Sequence, residues 1–188
     1  AGTALASRKE VYWKVRVWDC RDEASDWSET AHFEMGLLDP SDWKGKWIGR
    51  GDDFSGDKSS APALVKWFEV SKINDVKKAR LYISGLGIFT ASVNGQAVTD
   101  ALFEPGESEY EKRVYYTVYD ILPFLSEGEN ALGVILGNGQ YANYAVAPVM
   151  KLGDGTLSEK HRYQKDDTVY LRDGICGDVK LLAQVELT

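Results

Sequence analysis

Four glutamates in one short stretch are the densest group of carboxyls that could do chemistry: Glu104, Glu107, Glu109 and Glu111. Glycosidic bonds are hydrolysed by two carboxyl groups, roughly 6.5–9.5 Å apart for inversion and about 5 Å apart for retention. A pair drawn from this loop is one interpretation, and it describes a small stand-alone glycosidase. We favour the alternative, a solvated and flexible acidic loop, because clustered surface carboxylates are ordinary.

A second group of residues suits binding better than catalysis. The run Gly137-Asn-Gly-Gln-Tyr141 leads directly into Asn143 and Tyr144. Amides that donate to and accept from hydroxyls, beside a tyrosine ring, are what a monosaccharide requires. We therefore predict a sugar-binding site made of Asn138, Tyr141, Asn143 and Tyr144. The competing interpretation is that the glycines serve a positive-φ turn and that Tyr141 fills the edge of the core.

Metal and nucleophile chemistry have less support. The chain contains two histidines, His32 and His161, and neither lies near a cysteine at the spacing of a zinc site. They do not assemble a Ser-His-Asp set, and no phosphate loop of the GxxxxGK type occurs. Asp100, Glu104 and Asn138 carry oxygens that suit a structural Ca²⁺, although no EF-hand-like pattern surrounds them.

The composition limits the partners. The 188 residues carry a formal net charge of −7, which argues against a nucleic-acid backbone or an anionic membrane surface. Six Trp and ten Tyr provide rings that can stack on sugars, but such residues are also good strand and core formers. Cys20 and Cys176 leave a disulfide, two free thiols or a buried pair open.

The elements that would hold these residues are β-strands. Phe89, Ala91 and Val93 alternate with more polar neighbours at the period of two that a strand with one buried face shows. Asn94-Gly95 is the commonest filling of a two-residue hairpin turn. Further strands are predicted over 64–70, 79–84, 114–119, 131–136, 168–171 and 181–187. This pattern is typical of an antiparallel β-sandwich.

The same stretches resemble the N-terminal β-sandwich domain of bacterial α-L-rhamnosidases, which remove terminal rhamnose from glycans and plant glycosides. The matching residues are Ala79-Arg-Leu-Tyr-Ile-x-Gly-Leu-Gly87, Val93-Asn-Gly95, Glu104-Pro-Gly106, Arg113–Asp120, Gly128–Gly133 and Gly137-Asn-Gly-x-Tyr141. The order and spacing of these motifs carry the resemblance. It implies an all-β fold, a jelly-roll (galactose-binding-like) sandwich over residues 63–188. Gln140 departs from the family, which usually has a tryptophan there.

The N-terminal part resembles a different domain. Tyr12–Asp19 and Trp27-Ser-Glu29 are similar to the last two strands of a fibronectin type III-like domain, and together they predict a β-hairpin. The resemblance implies such a hairpin over 1–36, a linker over 37–62 and the sandwich beyond it. We expect the chain to be a fragment of a longer bacterial enzyme. A cytoplasmic, periplasmic or secreted location therefore stays open.

The resemblance also implies a role. In such enzymes the catalytic carboxylates lie on a separate (α/α)6-barrel domain of the same parent chain, and the sandwich is a non-catalytic accessory domain. The partners expected for this chain are therefore that barrel and a rhamnose-containing carbohydrate, with no nucleic acid and no membrane. The alternatives are a purely structural spacer that touches no glycan and the stand-alone glycosidase of the Glu104–Glu111 loop.

Overall fold

The computed structural model describes residues 2, 4–51, 60–110, 112–142, 162–165, 168–171 and 177–188, with only the backbone at 162–165 and 168–171. The chain divides into two compact units, Ala1–Lys44 and Gly45–Thr188. The described residues form β-strands and short 3-10 turns, and none of them forms a helix that could span a membrane. The prediction of an all-β chain is confirmed.

The larger unit contains two antiparallel sheets that share one core. The four-stranded sheet has the order β3-β8-β5-β6, and the three-stranded sheet has the order β11-β4-β7. Their bounds are β3 Ala63–Val70, β4 Ala79–Leu86, β5 Ile88–Val93, β6 Gln96–Ala97, β7 Thr117–Asp120, β8 Gly128–Gly137 and β11 Lys180–Leu187. A separate hairpin pairs β9 (Arg162–Lys165) with β10 (Thr168–Leu171).

Alternating side chains from both sheets form the core. Leu81 and Ile83 of β4 are fully buried, as are Val93 of β5 and Leu136 of β8. Burying a side chain of this size stabilises a fold by about 1.5–3 kcal/mol relative to leaving it in water. The period of two at Phe89, Ala91 and Val93 therefore identifies the inner face of β5 correctly.

A local signal in the sequence forms the predicted hairpin turn. Asn94 and Gly95 adopt φ values of 51° and 79° in the tight turn between β5 and β6, as a two-residue hairpin requires. After β7, the Asp120 carboxylate accepts a hydrogen bond from the Leu122 N–H at 3.1 Å, at the start of the 3-10 turn Leu122–Phe124.

The smaller unit is built on the predicted hairpin. β1 (Glu10–Trp13) pairs with β2 (Ala31–Glu34) in an antiparallel ladder. Beyond Trp13 the ladder becomes irregular, because Ser28 Oγ and Ser25 Oγ accept hydrogen bonds from the main chain of Val15 and Val17.

The sequence pattern predicts one buried face for this hairpin, and that prediction is wrong for the chain in hand. Trp13 and Val15 lie on the face expected to be buried, yet both are exposed, as are Tyr12 and Trp18 on the other face. A two-stranded ladder has no second layer against which either face can pack.

Asp42 ties the start of the smaller unit to its end. Its carboxylate accepts hydrogen bonds from Ser7 Oγ at 2.5 Å and from an Arg8 guanidinium nitrogen at 2.8 Å. It also accepts from the Asp39 N–H, as the capping box of the 3-10 turn Pro40–Asp42. The Ser7 hydroxyl first, and then Arg8, lower the pKa of Asp42 to about 2.

The junction between hairpin and sandwich has more structure than a plain linker. Ile48 exchanges two main-chain hydrogen bonds with Leu181, at 2.9 and 2.8 Å. This pairing is an isolated antiparallel bridge at the free edge of β11. The Gly45 N–H donates to the side-chain oxygen of Gln184. The division at residues 1–36, 37–62 and 63–188 stays a prediction.

Candidate functional site

The predicted binding residues follow the end of β8, where β4 turns into β5. Gly87 has a φ of 116°, and a Cβ at this position would collide with the carbonyl oxygen of Gly137. A side chain is therefore excluded from the point where the β4–β5 connection meets the end of β8. Gly139, at φ 52°, begins the turn that follows.

Asn138 and Tyr141 lie in that one turn. The Asn138 main-chain oxygen accepts a hydrogen bond from the Ala142 N–H at 3.0 Å, and both Asn138 and Tyr141 are half-buried. This bond occupies the main-chain oxygen of Asn138. Asn143 and Tyr144, the other two predicted residues, lie outside the described residues.

Tyr141 packs inward and meets a second tyrosine. Its ring lies against the core and contacts Tyr110 edge to face, with centroids 5.1 Å apart and planes at 73°. Burial, with smaller contributions from Glu107 and Tyr141, raises the pKa of Tyr110. Tyr141 therefore packs at the edge of the core, as the competing interpretation from the sequence expected. Any sugar contact would use the exposed part of the tyrosine pair. The sequence offered no signal for Tyr110, which lies far from Tyr141 along the chain.

Glu104 occupies a different environment from the other acidic residues of its loop. Its main-chain oxygen accepts a hydrogen bond from the Phe89 N–H at 2.6 Å, which anchors the loop beside β5. The carboxyl oxygen Oε2 is buried, and within the described part of the chain it has no hydrogen-bond partner. Burial raises the pKa of Glu104, since the charged form loses its hydration.

Two other carboxylates of the loop are described, and both face solvent. Glu107 is exposed, and Glu109 forms an exposed ion pair with Lys112 at 2.9 Å. Glu111 lies outside the described residues. The described carboxyls of the loop are thus one partly buried group and two solvated ones, and solvated surface carboxylates are ordinary.

The Ca²⁺ ligands suggested by the sequence, Asp100, Glu104 and Asn138, stay a prediction. Glu104 bridges to Phe89 of β5, and Gly137, next to Asn138, pairs with Ile88 of the same strand. Among the described residues, no three acidic, histidine or cysteine side chains group as a metal site would require. Cys20 is exposed and free, and Cys176 lies outside the described part.

A buried amide network lies at the β5–β6 turn, and the sequence analysis did not single it out. Asn130 Oδ1 accepts hydrogen bonds from the Asn94 side chain at 2.8 Å and from the Ser126 N–H at 2.9 Å. Its amide nitrogen donates to the main-chain oxygens of Ser126 and Gly128. Asn94 also bonds the oxygen of Phe124. Two ordinary-looking asparagines therefore join a hairpin turn to the start of β8.

Comparison with known proteins decides the family. The profile described as the alpha-L-rhamnosidase N-terminal domain matches residues 74–176. The chain belongs to this α-L-rhamnosidase N-terminal domain family. A second profile, the Rha78A-like, N-terminal immunoglobulin domain, matches residues 1–39. Immunoglobulin and fibronectin type III domains share the sandwich architecture. The resemblance stated from the sequence is confirmed.

The relatives are longer proteins. An α-L-rhamnosidase of Formosa agariphila is 39% identical over 148 residues, which cover 75% of this chain and 16% of the relative. An α-L-rhamnosidase of Alteromonas sp. is 41% identical over 149 residues, again 75% of this chain and 16% of the relative. The chain therefore spans about a sixth of the length of these relatives.

Solved structures show the same relationship. The α-L-rhamnosidase from Dictyoglumus thermophilum superimposes with a TM-score of 0.74 at 32% identity, over 100% of this chain and 19% of that one. The native enzyme from Aspergillus terreus gives a TM-score of 0.76 at 28% identity, over 100% of this chain and 20% of that one. The N-terminal rhamnosidase sandwich is thus the fold of this chain.

Proposed function

We propose that this chain is a non-catalytic accessory domain of an α-L-rhamnosidase that hydrolyses terminal rhamnose from glycans or glycosides. The observation that carries the proposal is the pairing of a family match over residues 74–176 with relatives about six times longer. The greater part of each relative lies outside the matched region. The partner is then a catalytic (α/α)6 barrel in the same parent chain.

The described carboxylates support a non-catalytic role. Glycoside hydrolysis needs two carboxyl groups at a fixed separation, one of them a proton donor. Glu104 has the raised pKa of a proton donor, but its Oε2 is buried away from any substrate. Glu109 is held by Lys112 in an exposed ion pair.

The stand-alone glycosidase remains the rival to be tested. We expect the 188-residue chain to release no aryl alcohol from an aryl α-L-rhamnoside. Release that is abolished by Glu104→Gln or Glu107→Gln would establish the rival and remove the accessory role.

The finer part of the proposal is sugar binding at the turn after β8. Asn138 would hydrogen-bond sugar hydroxyls, together with Asn143, while Tyr144 or the exposed part of Tyr141 lies under the ring. The half-buried position of Asn138 and the tyrosine pair beside it support this assignment. One monosaccharide offers few atoms, so the expected Kd for L-rhamnose is on the order of 0.1–10 mM. The alternative is a structural spacer that touches no glycan.

An NMR titration separates the binding domain from the spacer. Adding L-rhamnose should shift the backbone amides between Gly137 and Ala145, and Asn138→Ala should weaken binding by about 1–2 kcal/mol. Asn74→Ala, an exposed asparagine in another turn, serves as the matched control. If the resonances of these amides do not shift at tens of millimolar sugar, with or without Ca²⁺, the structural spacer is the correct interpretation.

A further inference from the structure

The outer face of the four-stranded sheet is apolar along β3 and β8, where a solvated face should be polar. Leu64 and Phe68 of β3 pack toward the core, so Val65 and Trp67 point away from it, and they are 61% and 59% exposed. Across the sheet, Ile135 of β8 is 52% exposed. Antiparallel sheets normally carry polar residues on a solvated face.

Strand register brings these side chains together. Ala63 lies opposite Ile135, Val65 opposite Gly133 and Trp67 opposite Ala131. Directly opposed residues share a face of the sheet. The large side chains of Val65, Trp67 and Ile135 therefore surround the small residues Ala131 and Gly133 on this face. We call the surface formed by Val65, Trp67, Ala131, Gly133 and Ile135 the Trp67 face.

The other sheet shows how this molecule treats an outer face that it covers itself. Tyr82 of β4 points away from the core but is only 1% exposed. Its ring lies 6.4 Å from that of Tyr116, and the neighbouring Ser84 hydroxyl bonds the main-chain oxygen of Tyr115. Gly45 bonds Gln184 on the adjacent strand. One outer face is thus covered by the chain's own segments, whereas Val65, Trp67 and Ile135 of the Trp67 face stay exposed among the described residues.

Charge at the end of the Trp67 face limits what can cover it. Glu69 and Glu129 are both exposed and lie directly opposite each other on the same side of the sheet. Like charges in this arrangement destabilise a strand pair, and a basic residue on a partner would relieve the repulsion. A second copy of a chain with a net charge of −7 is a poor partner for such a pair.

The size of the Trp67 face also argues against a second, free copy of the chain as its partner. Three exposed side chains present an apolar area on the order of a few hundred Å², whereas stable complexes between free proteins bury about 800 Å² on each partner. A small patch suffices when the partner is tethered, because docking is then intramolecular.

We propose that the Trp67 face docks against another domain of the same polypeptide, which presents an apolar patch with Arg or Lys placed against Glu69 and Glu129. The inference rests on the proposed function in one respect, namely that the chain is part of a longer enzyme. It adds which face of the sandwich meets the neighbouring domain and what chemistry the neighbour must show there.

Hydroxyl-radical footprinting with mass spectrometry tests the docking. The oxidation of Trp67 and of the β8 peptide containing Ile135 is compared between the 188-residue chain and the complete polypeptide that carries this sequence. We expect the oxidation rate of Trp67 to be at least about five-fold lower in the complete polypeptide, because the centre of an interface excludes water. Trp67→Glu should return the oxidation of the Ile135 peptide to the rate seen in the 188-residue chain. Phe103→Glu, at an exposed aromatic of the 101–104 loop, should not.

Three results would overturn the docking, and a fourth would separate it from the proposed function. Equal oxidation of Trp67 in both proteins would show that the face stays open, even if the complete polypeptide hydrolyses rhamnosides. A dimer of the 188-residue chain that Trp67→Glu dissociates would assign the face to a second copy. Slower oxidation on adding L-rhamnose to the 188-residue chain would assign it to a sugar. Protection of Trp67 in a complete polypeptide without rhamnosidase activity would support the docking while contradicting the proposed function.

Discussion

Individual residues of this sandwich take roles that their neighbours along the chain do not reveal. The turn at Asn94 could be placed from the sequence because an Asn-Gly turn needs no distant partner. The full role of Asn130 could not, because its local bonds to Ser126 and Gly128 are joined by one from Asn94, 36 residues away. The tyrosine pair at the candidate site is a similar case, since only the fold brings Tyr110 to Tyr141.

Asn130→Ala should strongly destabilise the sandwich. The side chain is fully buried, and its loss leaves the Ser126 and Gly128 oxygens and the Asn94 amide without their partner. We expect the free energy of unfolding to fall by about 2–4 kcal/mol in urea titrations. Asn74→Ala, at an exposed position, should change it by less than about 0.5 kcal/mol. Equal effects of the two substitutions would contradict the buried network.

Glu104→Gln should stabilise the fold in a pH-dependent way. The pKa of Glu104 is raised in the folded state, so the fold binds its proton more tightly than the unfolded chain does. Below the ordinary value of 4.5 the carboxyl is neutral in both states, and the two proteins should differ little. As the pH rises through the folded pKa, wild type should lose stability relative to the variant. Urea midpoints between pH 4 and 8 measure the gap, and Glu107→Gln controls for the lost charge. A gap that is absent at pH 7, or that widens as the pH falls, would argue against burial of this carboxyl.

At the scale of elements, the sequence predicts strands well where one face is buried. The alternation over 88–93 is reproduced by β5, because its inner positions enter the core. In β11, Leu181 enters the same core, but Leu182 and Gln184 on the other face are buried as well. Alternation fails as a guide in the N-terminal hairpin, where Trp13 and Val15 on one face and Trp18 on the other are exposed. It also cannot tell that Val65 and Trp67 lie on an outer face, since an apolar side chain is usually taken to point inward.

The β4–β5 connection offers the sharpest test of an element. At Gly87 any side chain would meet the Gly137 oxygen, and the φ of 116° disfavours every other residue. Gly87→Ala should therefore lower the free energy of unfolding by about 2–4 kcal/mol. At Gly106 a Cβ meets no atom within 4 Å, so Gly106→Ala is the matched control and should cost less than about 1 kcal/mol. Tolerance of Gly87→Ala would mean that the β4–β5 connection and the end of β8 do not approach each other as described.

For the whole molecule, the division into two units predicts that the larger unit folds without the smaller one. Residues 45–188 contain both sheets, their core and the Ile48–Leu181 pairing. We expect this segment, produced alone, to melt within about 2–4 °C of the 188-residue chain, as a change of about 1 kcal/mol would give for its size. Calorimetry measures both proteins. A drop far beyond this range would show that the hairpin belongs to the folding unit of the sandwich.

At this scale the family is shown, and the function is proposed from it. The family is shown by residues 74–176, while the accessory role and the sugar contact are proposals built on it. The sequence could suggest both because a family resemblance spans many positions. A site formed by a few loop residues cannot be read with the same certainty, since its geometry depends on how loops distant along the chain meet.

The most direct measurement is a side-by-side assay of hydrolysis. Release of aryl alcohol from an aryl α-L-rhamnoside is followed for the 188-residue chain and for the complete polypeptide that carries it, at equal molar concentration. The account predicts turnover by the complete polypeptide and none above the buffer rate by the 188-residue chain. Turnover by the 188-residue chain that Glu104→Gln abolishes would contradict it and make this domain the enzyme.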